Sequence, residues 1–116
     1  MFLLQKPDLD RLENVRKDAA AAPFSYPEVG RTRGDIPIGY VIDRSRIRLG
    51  CGSATFQRAK EAIKSWEMLK LGWVEPCWPD AHLREGEVVG TLARACGLWV
   101  VNVCRIVHIF DGDSPA

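Results

Sequence analysis

The sequence predicts an α+β fold, a largely antiparallel curved sheet with a long helix packed on one face. Residues 54–70 repeat apolar side chains at helical spacing between charged ones. Residues 87–95 and 98–110 are rich in β-branched and aromatic side chains and flank a Cys-Gly pair, which predicts a hairpin around 95–98. The order helix, loop, strand, helix, strand and hairpin is typical of helices that cover one side of an antiparallel sheet.

The first predicted element is a helix over residues 7–22. A proline in its first turn is tolerated because the missing N–H would have no helical partner there. Leu9, Leu12 and Val15 fall at helical spacing and form a narrow apolar stripe. Pro23 ends the helix, because its ring cannot continue the hydrogen-bond ladder.

Residues 24–40, FSYPEVGRTRGDIPIGY, follow this helix and show neither a helical nor a strand period. A connection of this length without regular structure is usually either functional or disordered. Its aromatic residues and its Pro and Gly turns argue against disorder. We therefore treat it as a candidate functional loop.

A strand and the long helix are predicted next. Around residues 46–49, Ile47 and Leu49 alternate with two arginines, which is the period of a half-buried strand. Ser53 is predicted to be the N-cap of the helix over 54–70, and Gly72 its C′ residue. The residues of its apolar face are Phe56, Ala59, Ala62, Ile63, Trp66 and Leu69.

The remaining strands are a short one at residues 73–75 and the two arms of the hairpin. The last strand is apolar on both faces. Such a strand is usually central, covered by a helix on one face and by another layer or a cavity on the other.

The length of 116 residues suits one domain, 1–116, with the first helix at 7–22, the loop at 24–40 and a strand-helix-strand-hairpin core at 40–111. A net charge of +1 gives little long-range attraction to nucleic acid or to anionic membranes. We expect no nucleic-acid or membrane partner and a cytoplasmic location, because no apolar run is long enough for a signal or a span.

The four cysteines show no CxxC pair and no regular spacing with a histidine. They are predicted to be reduced thiols, mostly buried, and no metal or other cofactor is expected. Five arginines cluster within a short stretch and are interpreted as a solvated face, with phosphoryl or nucleic-acid binding as the alternative; they are Arg31, Arg33, Arg44, Arg46 and Arg48.

The chain resembles the family called domain of unknown function 1990, also named uncharacterised protein family 0548. The blocks that carry the resemblance are FSYPEVGRTRGDIPIGY, RIRLGCGSATFQRAKEAIKSWEMLKLGWVE and CRIVHIFD, over about residues 1 to 111. The resemblance implies a helix-grip-like fold, a curved sheet around an apolar pocket. It also implies that this chain lacks the family's C-terminal part, so that the hairpin leaves an exposed sheet edge.

As a signature of that family, the loop over residues 24–40 is expected to pack over one end of the sheet, with Arg31 and Arg33 facing solvent. Its aromatic residues would be the anchors, namely Phe24, Tyr26 and Tyr40.

The function predicted is non-enzymatic binding of a small apolar or amphipathic ligand in a pocket between helix and sheet. The polar and aromatic candidates for lining that pocket are Tyr26, Arg33, Tyr40, Trp66, Asn102 and His108. One alternative is an enzyme that uses His108, Asn102 and Arg105, or the loop's Tyr26 and Arg33. The other is an interaction module that forms a homo-oligomer through the exposed sheet edge.

Overall fold

The structure is a computed structural model that describes residues 1–111. These residues form two α-helices, α1 (Leu9–Ala21) and α2 (Gly52–Lys64), and short 3-10 turns at Arg31–Arg33 and Glu67–Leu69. The strands are β1 (Phe2–Leu3), β2 (Val74–Pro76), β3 (Val88–Ala95) and β4 (Leu98–Arg105). They pair antiparallel in the order β1-β4-β3-β2, which confirms the predicted α+β class.

The β3–β4 hairpin turns where the sequence predicts it. Cys96 and Gly97 have φ values of 52° and 77°, so both central residues of the turn are left-handed, as a tight hairpin connection requires. The last strand ends at Arg105 rather than at residue 110. Ile106 still exchanges backbone hydrogen bonds with Gly86 and Glu87, at 2.8 and 2.9 Å, and Gly86, at φ 86°, then turns the chain away from the strand.

The core lies between α1 and one face of the sheet. It is built on four buried residues, with Leu3, Val15, Trp78 and Trp99 packed around them; the four are Leu12, Cys77, Leu92 and Val101. A side chain at Gly90 would place its Cβ 2.9 Å from the Asn102 carbonyl oxygen and 3.1 Å from the Trp78 ring. Glycine at this position therefore lets the Trp78 ring lie directly on the sheet.

Helix α1 begins one residue after Asp8, whose side chain accepts a hydrogen bond from the Arg11 N–H at 2.8 Å and caps the first turn. An ion pair also holds the helix to the sheet. Arg16 donates to the buried carboxylate of Glu87 at 2.7 Å, and Arg84 donates to its other oxygen at 2.6 Å.

Helix α2 differs from its prediction at both ends. Cys51, not Ser53, is the N-cap residue, and no side chain caps the helix there. The helix ends at Lys64, well before Gly72, because Trp66 adopts a left-handed φ of 59°. The Trp66 ring is buried and its Nε1 donates to the Ala81 carbonyl at 3.0 Å, so a tertiary contact overrides local helix propensity.

The helix that packs on the sheet is α1, whereas the contacts of α2 are mainly with the Glu67–Leu69 turn. No residue of α2 is buried, and Ile63 of its apolar face is 47% exposed. The face of the sheet opposite α1 consequently carries exposed residues such as Asn102 and Cys104.

The strand predicted around residues 46–49 is not formed. Residues 41–49 contain no helix, strand, turn or bend and make no backbone hydrogen bond to another described residue. Ile47 and Leu49 are 81% and 72% exposed. The prediction is wrong because alternation alone does not make a strand, since a strand also needs a neighbouring edge to pair with.

All the cysteines are free, but only Cys77 is buried, so the prediction that most are buried is wrong. Cys51, Cys96 and Cys104 lie in a loop, a turn and an uncovered sheet face, where no layer packs over them. Among residues 1–111, no cluster of three or more His, Cys, Asp or Glu side chains could hold a metal ion. None of the helices in this range has the length and apolar character needed to cross a membrane.

Candidate functional site

A cleft of about 510 Å³ lies between the loop over residues 24–40 and the segment that follows β4; we call it the loop cleft. Its lining is largely apolar, with a few polar groups. The apolar and small residues are Gly30, Ile36, Pro37, Val41, Ile42 and Val107. The polar and aromatic residues are Tyr26, Glu28, Arg31, Thr32, Tyr40, Asp43 and His108.

Gly30 sets the course of the loop at the cleft. Its φ of 76° is left-handed, which glycine adopts without strain, and it starts the turn Arg31–Arg33. The Arg33 N–H donates to the Gly30 carbonyl at 3.3 Å and closes that turn. A Cβ at Gly30 would lie 3.4 Å from Cγ1 of Val107, so the loop contacts the segment after β4 at this point.

A hydrogen bond between Tyr40 and Glu28 closes the loop at the exposed rim of the cleft. The Tyr40 hydroxyl donates to the Glu28 carboxylate at 2.8 Å, and Glu28 is half-buried. This hydrogen bond raises the pKa of Tyr40 above its ordinary value of 10.0. The phenol therefore stays protonated at neutral pH and holds the carboxylate in one orientation.

The charges of the cleft are not neutralised by neighbouring side chains. Among the described residues, neither Glu28 nor Asp43 has a cationic partner within salt-bridge distance. Arg31 uses its Nε to donate to the backbone carbonyl of Asp35 at 3.1 Å. The cleft thus offers carboxylates, a guanidinium and tyrosine hydroxyls beside an apolar wall.

The loop meets the sheet at the Val88–Arg105 end of the hairpin. The Arg105 guanidinium lies over the Phe24 ring, 4.2 Å from the centroid of that ring. Tyr26 packs on Phe24, and the two ring centroids are 6.1 Å apart. Tyr40 instead contacts the loop itself through Glu28. Arg31 and Arg33 are exposed.

Three of the predicted site residues come together and three do not. Tyr26, Tyr40 and His108 line the loop cleft, although they come from distant parts of the sequence. Arg33 lies in the adjacent 3-10 turn without lining the cleft. Trp66 is buried against Ala81, and Asn102 lies on the uncovered sheet face opposite Thr91.

The enzyme constellation of His108, Asn102 and Arg105 is not assembled. Arg105 points to the α1 side, where its Nη1 donates to the Ala20 carbonyl at 3.2 Å. Asn102 has the opposite parity in β4 and so lies on the other face. Of the three residues, only His108 lines the loop cleft.

Sequence reasoning missed Glu28 and Asp43 as lining residues. Glu28 is a single acidic residue in a loop without a period, and Asp43 interrupts the apolar positions of residues 41–49, so no spacing distinguishes either one from a solvated charge. The Tyr-to-Glu pairing across residues 28–40 arises only once the loop closes on itself.

A second cavity of about 440 Å³ lies between residues 46–52 and the first turns of α2. Phe56 and Ala59 of α2 form its helical wall. The sequence predicts a pocket between α2 and the sheet. The loop cleft lies elsewhere, because α2 does not pack on the sheet.

Comparison with known proteins identifies related sequences. The model of the family described as Domain of unknown function (DUF1990) matches residues 25–115. A UPF0548 protein of Dictyostelium discoideum is 28% identical over an alignment of 124 residues. The alignment covers 98% of this chain and 57% of that relative. This chain therefore spans little more than half the length of the curated relative it matches. No solved structure matches it significantly.

Proposed function

This chain belongs to the DUF1990 family, and on that premise we propose that it binds a small amphipathic ligand in the loop cleft, without catalysis. The single observation that carries the proposal is the cleft itself. It joins two separated parts of the family-matched region, the loop and the segment at Val107 and His108.

The size and chemistry of the cleft suit such a ligand. Small-molecule sites generally have volumes of about 300–1,000 Å³, with mostly apolar walls and a few fixed polar groups. The cleft has about 510 Å³ and an apolar wall that includes Ile36, Pro37 and Val107. The paired Tyr40 and Glu28 supply an oriented polar group at its rim.

The polar groups favour binding over catalysis. The hydrogen-bonded pair that lines the cleft is the Tyr40 phenol and the Glu28 carboxylate. Their hydrogen bond raises the pKa of the phenol, so the phenol is harder to deprotonate. A raised phenol pKa suits a fixed donor better than a nucleophile or a general base at neutral pH.

Native mass spectrometry of the purified chain tests the proposal, followed by thermal shift with a panel of amphipathic compounds. We expect an adduct of small mass or a stabilising compound. Val107→Trp should abolish the effect because it fills the cleft, whereas Leu71→Trp should keep it because Leu71 is 57% exposed and lies outside the cleft. A chain that carries no adduct and is stabilised by no compound, or an effect that survives Val107→Trp, would contradict the proposal.

A second candidate function, self-assembly through a sheet edge, is favoured by the short length of β1. β1 pairs only with Val100 and Trp99, and Val101 exchanges hydrogen bonds with Met1. Further along the same edge, the N–H and C=O groups of Val103 and Arg105 have no backbone partner among residues 1–111. Light scattering that reports a monomer across a wide concentration range would exclude this function.

A further inference from the structure

Residues 41–49, VIDRSRIRL, have the sequence of a strand but no strand beside them; we call them the unpaired segment. The segment contains no helix, turn or bend, and every one of its residues is exposed. Val41, Ile47 and Leu49 are 96%, 81% and 72% exposed. A run of backbone donors and acceptors beside alternating apolar side chains is the edge to which an added strand binds.

The two faces of the unpaired segment differ in chemistry. Val41, Ile47 and Leu49 share one parity with Asp43 and Ser45, and the arginines share the other with Ile42. The arginines are Arg44, Arg46 and Arg48, spaced by about 6.6 Å along an extended chain. Among the described residues none of them has an ion-pair partner.

This charge pattern argues against a second copy of the same segment as the occupant. Antiparallel self-pairing centred on Arg46 would place Arg44 opposite Arg48 on one face. Like charges directly opposite each other destabilise a strand pair. A strand with acidic residues at alternate positions would instead place one carboxylate opposite each arginine.

The cavity of about 440 Å³ beside the segment adds a partly apolar subsite. Ile47, Leu49 and Phe56 of α2 line it together with two of the arginines, Arg46 and Arg48. An apolar side chain of an added strand could enter this cavity while its acidic neighbours meet the arginines. The surface therefore matches an acidic-apolar alternation in both charge and shape.

We propose that residues 41–49 bind an extended segment of a partner polypeptide in which acidic and apolar residues alternate, by adding it as a strand. This surface is separate from the function proposed for the loop cleft, although Val41 to Asp43 border both. Single-stranded nucleic acid fits less well, because the segment carries no aromatic side chain on which bases could stack.

The probe is a fluorescein-labelled peptide that alternates glutamate and valine over eight residues, added to the full chain. Fluorescence anisotropy measures its binding, and hydrogen exchange reports on the amides of residues 42–48. We expect saturable binding together with slower exchange of those amides. The same peptide with lysine in place of glutamate should not bind.

Backbone pairing is tested with two versions of the glutamate-valine peptide. One is N-methylated at the glutamates and the other at the valines. The version in which methylation removes the N–H donors on the pairing edge should bind about tenfold more weakly than the unmethylated peptide. Equal binding by both methylated peptides and the parent, without amide protection, would overturn the proposal. Equally tight binding of an oligothymidylate with the same charge as the peptide would also overturn the proposal, because the surface would then recognise charge alone.

The variants are Arg46→Glu with Arg48→Glu, and Arg58→Glu as the matched control on exposed α2 surface. The double variant should lose at least about tenfold in affinity, and the control should stay within about twofold. Circular dichroism confirms that each variant is folded. Equal losses in the double variant and in the control would contradict a site at residues 41–49.

Discussion

Arg16 of α1 and Glu87, which immediately precedes β3, are 71 positions apart in sequence and are joined by a hydrogen bond of 2.7 Å. The Glu87 side chain is 6% exposed, and Arg84 donates to its second oxygen. Arg16 also lies over the Trp78 ring, 5.5 Å from its centroid. One carboxylate thus fixes the helix and the tryptophan to the start of the hairpin.

The hydrogen bonds from Arg84 and Arg16 lower the pKa of Glu87 below its ordinary value of 4.5, although burial opposes them. The stabilisation from ionised Glu87 is therefore present above about pH 4.5 and is lost as the pH falls through the lower folded-state pKa. Glu87→Gln should reduce the free energy of unfolding at pH 7 by about 2 kcal/mol. Urea unfolding at pH 7 and at pH 3 measures this difference.

Glu13→Gln is the matched control, because Glu13 is an exposed partner of Arg16 at 3.9 Å. It should change stability by less than about 0.5 kcal/mol. The stabilities of the parent and of Glu87→Gln should lie closer together at pH 3 than at pH 7, because the folded-state pKa of Glu87 is lowered. An equal difference at both pH values would show that the effect does not depend on the charge of Glu87.

The pKa of Tyr40 should be set by its hydrogen bond to Glu28. The chain has two tyrosines, so Tyr26→Phe leaves Tyr40 as the only phenol that titrates. Its absorbance should then titrate above pH 10.0, and adding Glu28→Gln should move the titration down toward that value. Because the folded-state pKa is raised, the stabilisation from this bond is present below about pH 10 and is lost as the pH rises further. Identical titrations with and without Glu28→Gln would contradict the contact.

The thiols should react in an order set by burial. Burial raises the pKa of Cys77 to about 11, so little reactive thiolate forms near neutral pH. A thiol reagent should modify Cys51 and Cys96 quickly and Cys104 more slowly, because desolvation raises the pKa of Cys104 as well. Cys77 should react only after unfolding, and Cys77→Ala should remove that last phase. A fast phase that disappears in Cys77→Ala would contradict its burial.

Truncation of the core should cost far more than truncation of the unpaired segment. Leu92 is 2% exposed and contacts the α1 side of the core, so Leu92→Ala should destabilise the protein by about 3 kcal/mol. Ile47→Ala removes a side chain that is 81% exposed and should change stability by less than about 0.5 kcal/mol. Chemical denaturation of the two variants checks this. A larger loss for Ile47→Ala would mean that residues 41–49 are packed in solution.

The parts of the fold that sequence predicts well are the local ones. The hairpin follows from two apolar runs and a Cys-Gly turn that lie within a few residues of each other. Helix α1 follows from its period and from Pro23, and only its boundaries shift, to Leu9–Ala21. In both cases the deciding contacts lie close together along the chain.

The parts that sequence predicts poorly depend on contacts between distant residues. Nothing near Trp66 signals its left-handed conformation, which goes with a hydrogen bond to Ala81. Alternation at Ile47 and Leu49 is a genuine strand pattern, yet the chain places no partner strand beside it. Periodicity reports what a segment favours and not what lies next to it.

The candidate site divides in the same way. Tyr26 and Tyr40 could be proposed because aromatic residues in a long loop usually anchor it, and both line the cleft. Glu28 could not be singled out, because its role depends on loop closure. Asn102, also expected to line the pocket, lies on the uncovered face of the sheet, which does not border the cleft.

The core described above is assembled from the two ends of the described chain, since β1 and α1 pack against β3 and β4. During synthesis, an N-terminal helix as short as α1 has nothing to pack on until the hairpin has left the ribosome. Packing of α1 against the sheet therefore has to wait for the synthesis of the hairpin, which is distant in sequence. Until then the apolar stripe of α1 is exposed to solvent, and such a stripe is the kind of surface that chaperones bind.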